Sequence, residues 1–223
     1  SIFLIHGGGT KISEKLNKLN IKSNFVNGLR VTDDKIINIV ESVLVKFNKE
    51  IVNALKDQSC KAKEITSKEN NIMSVKRKSD ILGFVGSPSH IKTNVLTEIV
   101  KSNAVPVIAS LGLDENNQTF NINADTAAGS IAKELKARRL LILSDVEGVL
   151  DKNKNLISEI NSKKAEEMIN DEVISGGMIP KIINCLDVAK NGVKAVCIID
   201  GRKNHSVLFE LLSDKGSGTL IRE

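Results

Sequence analysis

Short apolar runs alternate with amphipathic stretches along most of the chain. The first run, Ile2-Phe3-Leu4-Ile5, ends at His6-Gly7-Gly8-Gly9, and an amphipathic segment over 11–19 follows at once. That pattern predicts a buried parallel strand, a tight loop and a helix start. Asn27-Gly28 is a turn signal, and Thr32-Asp33 supplies a helix N-terminus. Ile36, Ile37, Val40, Val43 and Leu44 then recur at helical spacing, and a second helical stretch is read over 49–56. A short strand is predicted over 61–65, and a β-hairpin over 71–85 with the basic tip Lys76-Arg77-Lys78. A helix over 92–102 and a buried strand over 105–109 complete the first half; Pro106 lies near that strand's start, where its missing N–H is tolerated.

Near residue 112 the character changes. A polar loop is predicted over 112–119. Beyond it Asn121 and Asn123 alternate with apolar residues and so share one face of an extended segment. Asp125 opens an Ala-rich helix, a place where Asp is most often a cap. A strong strand over 140–143 ends in Ser144-Asp145, and a short helix spans 162–169. The segment Gly176-Gly177-Met178-Ile179-Pro180-Lys181 leads into a helix to Lys190. An apolar strand over 193–200, a helix over 205–212 and a strand over 219–221 follow. This alternation indicates the α/β class, with a mainly parallel sheet covered on both faces. Two lobes of one continuous domain are expected, 1–111 and 112–223.

Composition narrows the function. The 223 residues are enough for a substantial core. The net charge of +5 is mild and its lysines are scattered, and with no Trp or Tyr the stacking platforms of single-strand binders are missing. No nucleic-acid partner is expected; the sign suits small anionic ligands. Cys60, Cys185 and Cys197 show no C-x-x-C spacing, which indicates neither a disulfide framework nor a zinc site and points to a reducing compartment. No run has transmembrane length, so no membrane partner is expected. The chain opens at Ser1 already inside a strand, without Met, and further sequence ahead of it is expected.

Three chemistries compete for the glycine loop. His-Gly-Gly-Gly also occurs as an oxyanion loop in esterases, but the Gly-x-Ser-x-Gly elbow that acyl hydrolysis needs is absent. The Gly-x-Gly-x-x-Gly spacing of a dinucleotide site and the Walker P-loop are absent as well. Phosphoryl transfer uses what is present: glycine N–H groups at helix starts (Gly7 to Gly9, Gly176-Gly177), Lys181, Asp125 as an organising acid, and Arg30 as a clamp for a carboxylate.

Taken together, His6-Gly7-Gly8-Gly9, Asn27-Gly28-Leu29-Arg30-Val31-Thr32, Asn121-Ile122-Asn123-Ala124-Asp125 and Gly176-Gly177-Met178-Ile179-Pro180-Lys181 resemble the N-acetylglutamate kinases of the amino-acid kinase family, in order and over essentially the whole chain. The resemblance implies a three-layer αβα sandwich around a mainly parallel sheet, with the acetylglutamate site in 1–111 and the ATP site in 112–223. It implies that ATP, with Mg2+, phosphorylates the side-chain carboxylate of N-acetyl-L-glutamate in arginine biosynthesis. By the same resemblance Gly8 and Gly9 donate to the moving phosphoryl group, and Arg30, Asn121 and Asn123 hold the acceptor. Lys181 stabilises the phosphates, Asp125 orients the lysines, and Ser144, Asp145, Gly177 and Met178 serve the nucleotide. His205, Glu210, Gly216 and Gly218 resemble the site at which L-arginine inhibits some members. A homodimer is implied, with a hexamer and a PII partner as further options, in the cytoplasm or a plastid stroma. The family's opening strand with its Lys-Gly-Gly loop has no counterpart here, so a βα unit of roughly 20 to 30 residues is expected ahead of Ser1. A family glycine between Val45 and Asn48 is also missing, and Ser67-Lys68-Glu69-Asn70 replaces a more glycine-rich loop. The alternative is an N-terminally incomplete, impaired member acting as an N-acetylglutamate- or arginine-binding regulatory protein.

Overall fold

Local sequence signals set most of the elements in the computed structural model, which describes residues 1–213 and 216–223. Its packing divides the chain into two compact units, 1–128 and 129–223.

In the first unit β1 (Leu4–His6) feeds α1 (Gly9–Lys18). The hairpin of β2 (Phe25–Val26) and β3 (Leu29–Arg30) turns on Asn27 and Gly28, with φ of 49° and 77°. Two positive φ values in succession make the type I′ turn that Asn-Gly favours. Helix α2 (Asp34–Asp57) is capped by Asp33, whose carboxylate accepts the N–H groups of Lys35 and Ile36 at 3.0 and 2.8 Å. It runs without a break, where the sequence predicts two helices. Val40, Leu44, Asn48 and Val52 lie four residues apart and all are buried; the polar Asn48 inside this stripe is what interrupts the apolar period.

Next come β4 (Ala62–Ile65), β5 (Met73–Arg77), β6 (Gly86–Ile91), α3 (Thr93–Lys101), β7 (Val105–Ala109), β8 (Leu111–Leu113) and β9 (Thr119–Asn121). Helix α4 (Ala124–Glu134) then carries the chain into the second unit. Strands β1, β7 and β4 form a parallel sheet with β7 in the middle. On one face Val107 packs with Val52 and Ala62, and Ala109 with Ile12, Leu16 and Leu44. Ile108 points to the other face by strand alternation and is equally buried, and α3 packs on β7.

A second sheet has the order β6-β5-β8-β9. Strand β6 escapes the sequence pattern because Gly86-Ser87-Pro88-Ser89-His90 looks like a loop; its terminal place in the sheet order lets Pro88 lack a donor. Where the sequence predicts a loop over 112–119, β8 pairs with both β5 and β9. A Cβ on Gly112 would stand 2.5 Å from Val75 Cγ1, so the close approach of β8 to β5 requires glycine. This pairing keeps residues beyond 111 in the first unit, and the division falls at 128/129 instead of the expected 111/112.

The second unit holds β10 (Arg139–Ser144), β11 (Glu159–Ile160), α5 (Ser162–Asn170), α6 (Met178–Lys190), β12 (Ala195–Asp200), α7 (Ser206–Leu212) and β13 (Gly218–Ile221). Its sheet order is β10-β12-β13-β11, parallel except between β12 and β13. A Cβ on Gly218 would meet Ile198 O at 2.0 Å, so that antiparallel pairing depends on glycine. Both units thus combine helices with parallel strand pairs, as the α/β reading expects. Among the described residues no helix is long and apolar enough to cross a membrane.

Candidate active site

The first group of candidate residues gathers at the carboxyl end of β1. Gly8 is the N-cap of α1, whose first N–H groups have no acceptor within the helix. Those groups and the helix dipole favour an anion. A Cβ on Gly7 would touch Ala124 Cβ at 3.0 Å, and one on Gly8 would stand 2.7 Å from Leu44 Cδ2. Gly9 is different: no atom lies within 4 Å of where its Cβ would be, so packing within the protein does not call for glycine there. The contact at Gly7 also brings the loop beside the start of α4, where Asn123 and Asp125 sit.

Arg30 reaches the same loop from β3. It is only 7% exposed. One guanidinium nitrogen donates to Ser23 Oγ; the other donates to Gly9 O at 3.1 Å and to Ser13 Oγ at 2.9 Å. The Phe25 ring covers it, 4.7 Å from centroid to Cζ. Burial lowers its pKa, yet an arginine of ordinary pKa above about 12 stays charged. Among the described residues no carboxylate pairs with it. A buried charge held only by neutral acceptors is under-compensated, and a carboxylate placed against it would be bound strongly. Ser13 and Ser23 carry no distinguishing pattern in the sequence, one lying in a helix and the other in a polar loop.

Asn121 extends the same set: its Nδ2 donates to Thr32 Oγ1 at 3.4 Å, and that hydroxyl donates to Arg30 O at 2.9 Å. Asn123 takes the capping task expected of Asp125. Its Oδ1 accepts Thr126 N at 3.0 Å, and the residue is exposed. Asp125 falls in the first turn of α4.

Behind the loop lies a buried polar pair. Asn48, fully buried, donates from Nδ2 to Val107 O at 2.9 Å and to His6 Nε2 at 3.0 Å, while His6 Nδ1 lies 2.9 Å from Gly7 O. Nε2 therefore accepts and Nδ1 carries the proton, and burial pushes the His6 pKa down, which keeps the ring neutral. Asn48 Oδ1 has no partner, a defect that costs about 1–3 kcal/mol.

The second group belongs to the other unit. Ser144 and Asp145 end β10, with Ser144 Oγ 3.4 Å from Asp145 Oδ1. Ser144 is in register with Asp200 on β12, and open parallel sheets bind ligands at such carboxyl ends. Asp200, buried, accepts Arg202 Nε and Nη2 at 2.9 Å each and Arg202 N at 2.9 Å, which holds its carboxyl at about 2. This Asp-Gly-Arg turn has no distinguishing pattern in the sequence. Gly177 is the N-cap of α6, preceded by Gly176 at φ 55°; Met178 begins the helix and Lys181 follows in its first turns, half-buried. No protein atom lies within 4 Å of a Cβ on either glycine.

The residues likened to an arginine site have structural tasks within this unit. Glu210 Oε2 accepts Ser217 N at 2.8 Å, Gly216 sits against Glu210 at φ 65°, and Gly218 serves the β12/β13 pairing. His205 adopts φ 62° as the N-cap of α7 and makes no side-chain cap bond. Burial, and after it the hydrogen bond and charge of Glu210, push the Cys197 thiol up to about 12, so it is inert.

Comparison with known proteins identifies the family. Residues 1–200 match the model of the amino acid kinase family. The chain is 73% identical over 220 residues to the acetylglutamate kinase of Pelagibacter ubique, covering 99% of this chain and 76% of that protein. It is 45% identical over 224 residues to the acetylglutamate kinase of Campylobacter hominis, covering all of this chain and 79% of that protein. The crystal structure of N-acetylglutamate synthase from Neisseria gonorrhoeae, complexed with coenzyme A and N-acetyl-glutamate, superposes with a TM-score of 0.88 over 99% of this chain and 51% of that one, at 21% identity, a likeness of fold. With its glycine loop, its buried arginine and these relatives, the chain belongs to the amino acid kinase family.

Proposed function

We propose that this chain transfers the terminal phosphoryl group of MgATP to the side-chain carboxylate of N-acetyl-L-glutamate, a step of arginine biosynthesis carried out in the cytoplasm. One observation carries the reading: the buried Arg30 guanidinium, held by neutral acceptors alone, stands beside a glycine loop whose Gly9 face is open. Such a charge suits the α-carboxylate of an acylated amino acid, while helix-start N–H groups suit the anionic group being transferred.

The chemistry asks little of the protein in proton transfer. A carboxylate of reference pKa about 4.3 is already a nucleophile at neutral pH, so no general base is needed. Catalysis then consists of positioning and of neutralising charge on the moving phosphoryl group. Gly8 and Gly9 donate N–H groups, Arg30 fixes the acceptor, and Asn121 and Asn123 meet its polar groups. Lys181 offsets phosphate charge, Asp125 orients the lysines, and Ser144, Asp145, Gly177 and Met178 serve the nucleotide. Magnesium would enter as part of the substrate MgATP, where it would offset phosphate charge.

The test is ATP-dependent acyl-phosphate formation trapped as a hydroxamate with hydroxylamine, compared across N-acetylglutamate, glutamate and aspartate. Product from N-acetylglutamate well above the other two is expected. No product from N-acetylglutamate in the full-length protein would overturn the reading.

A further inference from the structure

We infer that Asn48 is a positioning residue for the phosphoryl-facing loop, acting through His6 on the peptide that carries the Gly8 N–H. The inference rests on the kinase reading above.

Asn48 occupies a stripe position of α2 between Leu44 and Val52. A leucine there would continue the apolar stripe and would remove the unpartnered Oδ1. Against that gain, leucine would leave the buried His6 Nε2 and Val107 O without their Asn48 donor. The two effects oppose each other, and stability alone does not decide for asparagine. What the amide provides is direction. Its NH2 group faces Val107 O at 2.9 Å, His6 Nε2 at 3.0 Å and Ile65 O at 3.4 Å. Turned over, its oxygen would face two carbonyl oxygens, so only one orientation is favourable. That orientation offers an N–H to His6 Nε2 and so confines the imidazole proton to Nδ1.

From Nδ1 the proton points to Gly7 O at 2.9 Å. The edge of the ring pair with Phe47, centroids 5.2 Å apart and planes at 83°, restrains the imidazole further. Gly7 O and the Gly8 N–H belong to one planar trans peptide and point in opposite directions. Holding the carbonyl toward His6 therefore holds the Gly8 N–H away from it. Glycine at 7 and 8 leaves this peptide free to rotate, so some other group has to fix it. The chain of contacts runs from α2 through β1 to a donor of the candidate site, and every member before the loop is buried.

The experiment uses the full-length protein and three readouts: kcat and KM for N-acetylglutamate, thermal stability, and the protonation state of the His6 ring nitrogens by 15N NMR. The wild-type ring should carry its proton on Nδ1. Asn48→Leu should move the melting temperature by only a few degrees, removal of the unpartnered Oδ1 offsetting the orphaned His6 Nε2 and Val107 O. It should lower kcat by about 10- to 100-fold, the scale of a misplaced catalytic group, and the single Nδ1–H tautomer should be lost. His6→Leu should lower kcat by a similar factor, and the double variant by no more than either single one, as for two residues acting through one route. If Asn48→Leu does not fold, Asn48→Ser, too short to reach His6, carries the same expectation. A wild-type proton on Nε2 would overturn the inference, as would kcat within twofold of wild type in a folded Asn48 variant, or fully additive losses. A wild type without kinase activity overturns the kinase reading, and the inference with it; an active wild type with an equally active Asn48 variant overturns the inference alone.

Discussion

Replacing Gly9 by alanine separates what the fold needs from what the chemistry needs. Gly9 is the first residue of α1, it does not require positive φ, and no protein atom stands within 4 Å of the added methyl group. For the fold the change is neutral or favourable, because alanine exceeds glycine by up to about 1 kcal/mol in a helix interior and by less at its first position. In a chain of this size that is a rise in Tm of about 0 to 3 °C. For the reaction the methyl group occupies the open face on which the phosphoryl group is proposed to rest. Displacement of reacting atoms by about 1 Å costs about 100-fold, or about 2.7 kcal/mol of transition-state stabilisation. Gly9→Ala should therefore lower kcat/KM for N-acetylglutamate about 100-fold in the hydroxamate assay while differential scanning fluorimetry shows no loss of Tm. Gly8→Ala is the contrast: its methyl would meet Leu44 Cδ2 at 2.7 Å, so activity and Tm should fall together. Wild-type activity in Gly9→Ala, or a Tm several degrees lower, would refute the argument that the open face is reserved for substrate.

Arg30→Ala should raise KM for N-acetylglutamate at least about 10-fold, the lower end for losing a charge-assisted pair, and leave KM for ATP within about twofold; equal losses for both ligands would contradict the assigned role. Asp200 titrates at about 2 in the fold against an ordinary 3.8, so its contribution to stability is complete above about pH 4 and is lost as pH falls toward 2. Asp200→Asn should flatten that part of the stability profile in urea titrations, and an unchanged slope between pH 4 and 2 would count against the Arg202 pairing. His6, with its pKa below the usual 6.5, should make the first unit lose stability as pH drops below about 6.5, because only the unfolded chain takes up the proton readily; His6→Leu should remove this limb.

The elements carrying the site were legible wherever local chemistry decides structure. The apolar run before Gly7 marked β1, the Asn-Gly pair marked the hairpin turn, and Asp33 marked the start of α2. Long-range pairing was not legible. Strand β6 looks like a loop because Pro88 and its serines are acceptable only at a terminal place in a sheet, and β8 becomes a strand by pairing with β5. The same holds within the site. Arg30 was visible through its motif, but its neutral partners Ser13 and Ser23 come from two other segments, and only the folded chain brings them to one guanidinium. Asn48 was a polar interruption in a helical pattern, and its meaning depends on His6, 42 positions away.

The place of β7 between β1 and β4 has a consequence for how the protein is made. Among the described residues both outer strands of this sheet pair with β7, Leu4 opposite Val107 and Ala62 opposite Val105. During synthesis neither can make these pairings until residues 105–109 have left the ribosome. The glycine loop and Arg30 are translated well before that, and their alignment against β7 waits for it. Assembly of the first unit is therefore governed by contacts distant in sequence, which close slowly. Its early apolar strands are exposed in the meantime, which makes the nascent chain a natural client for chaperones.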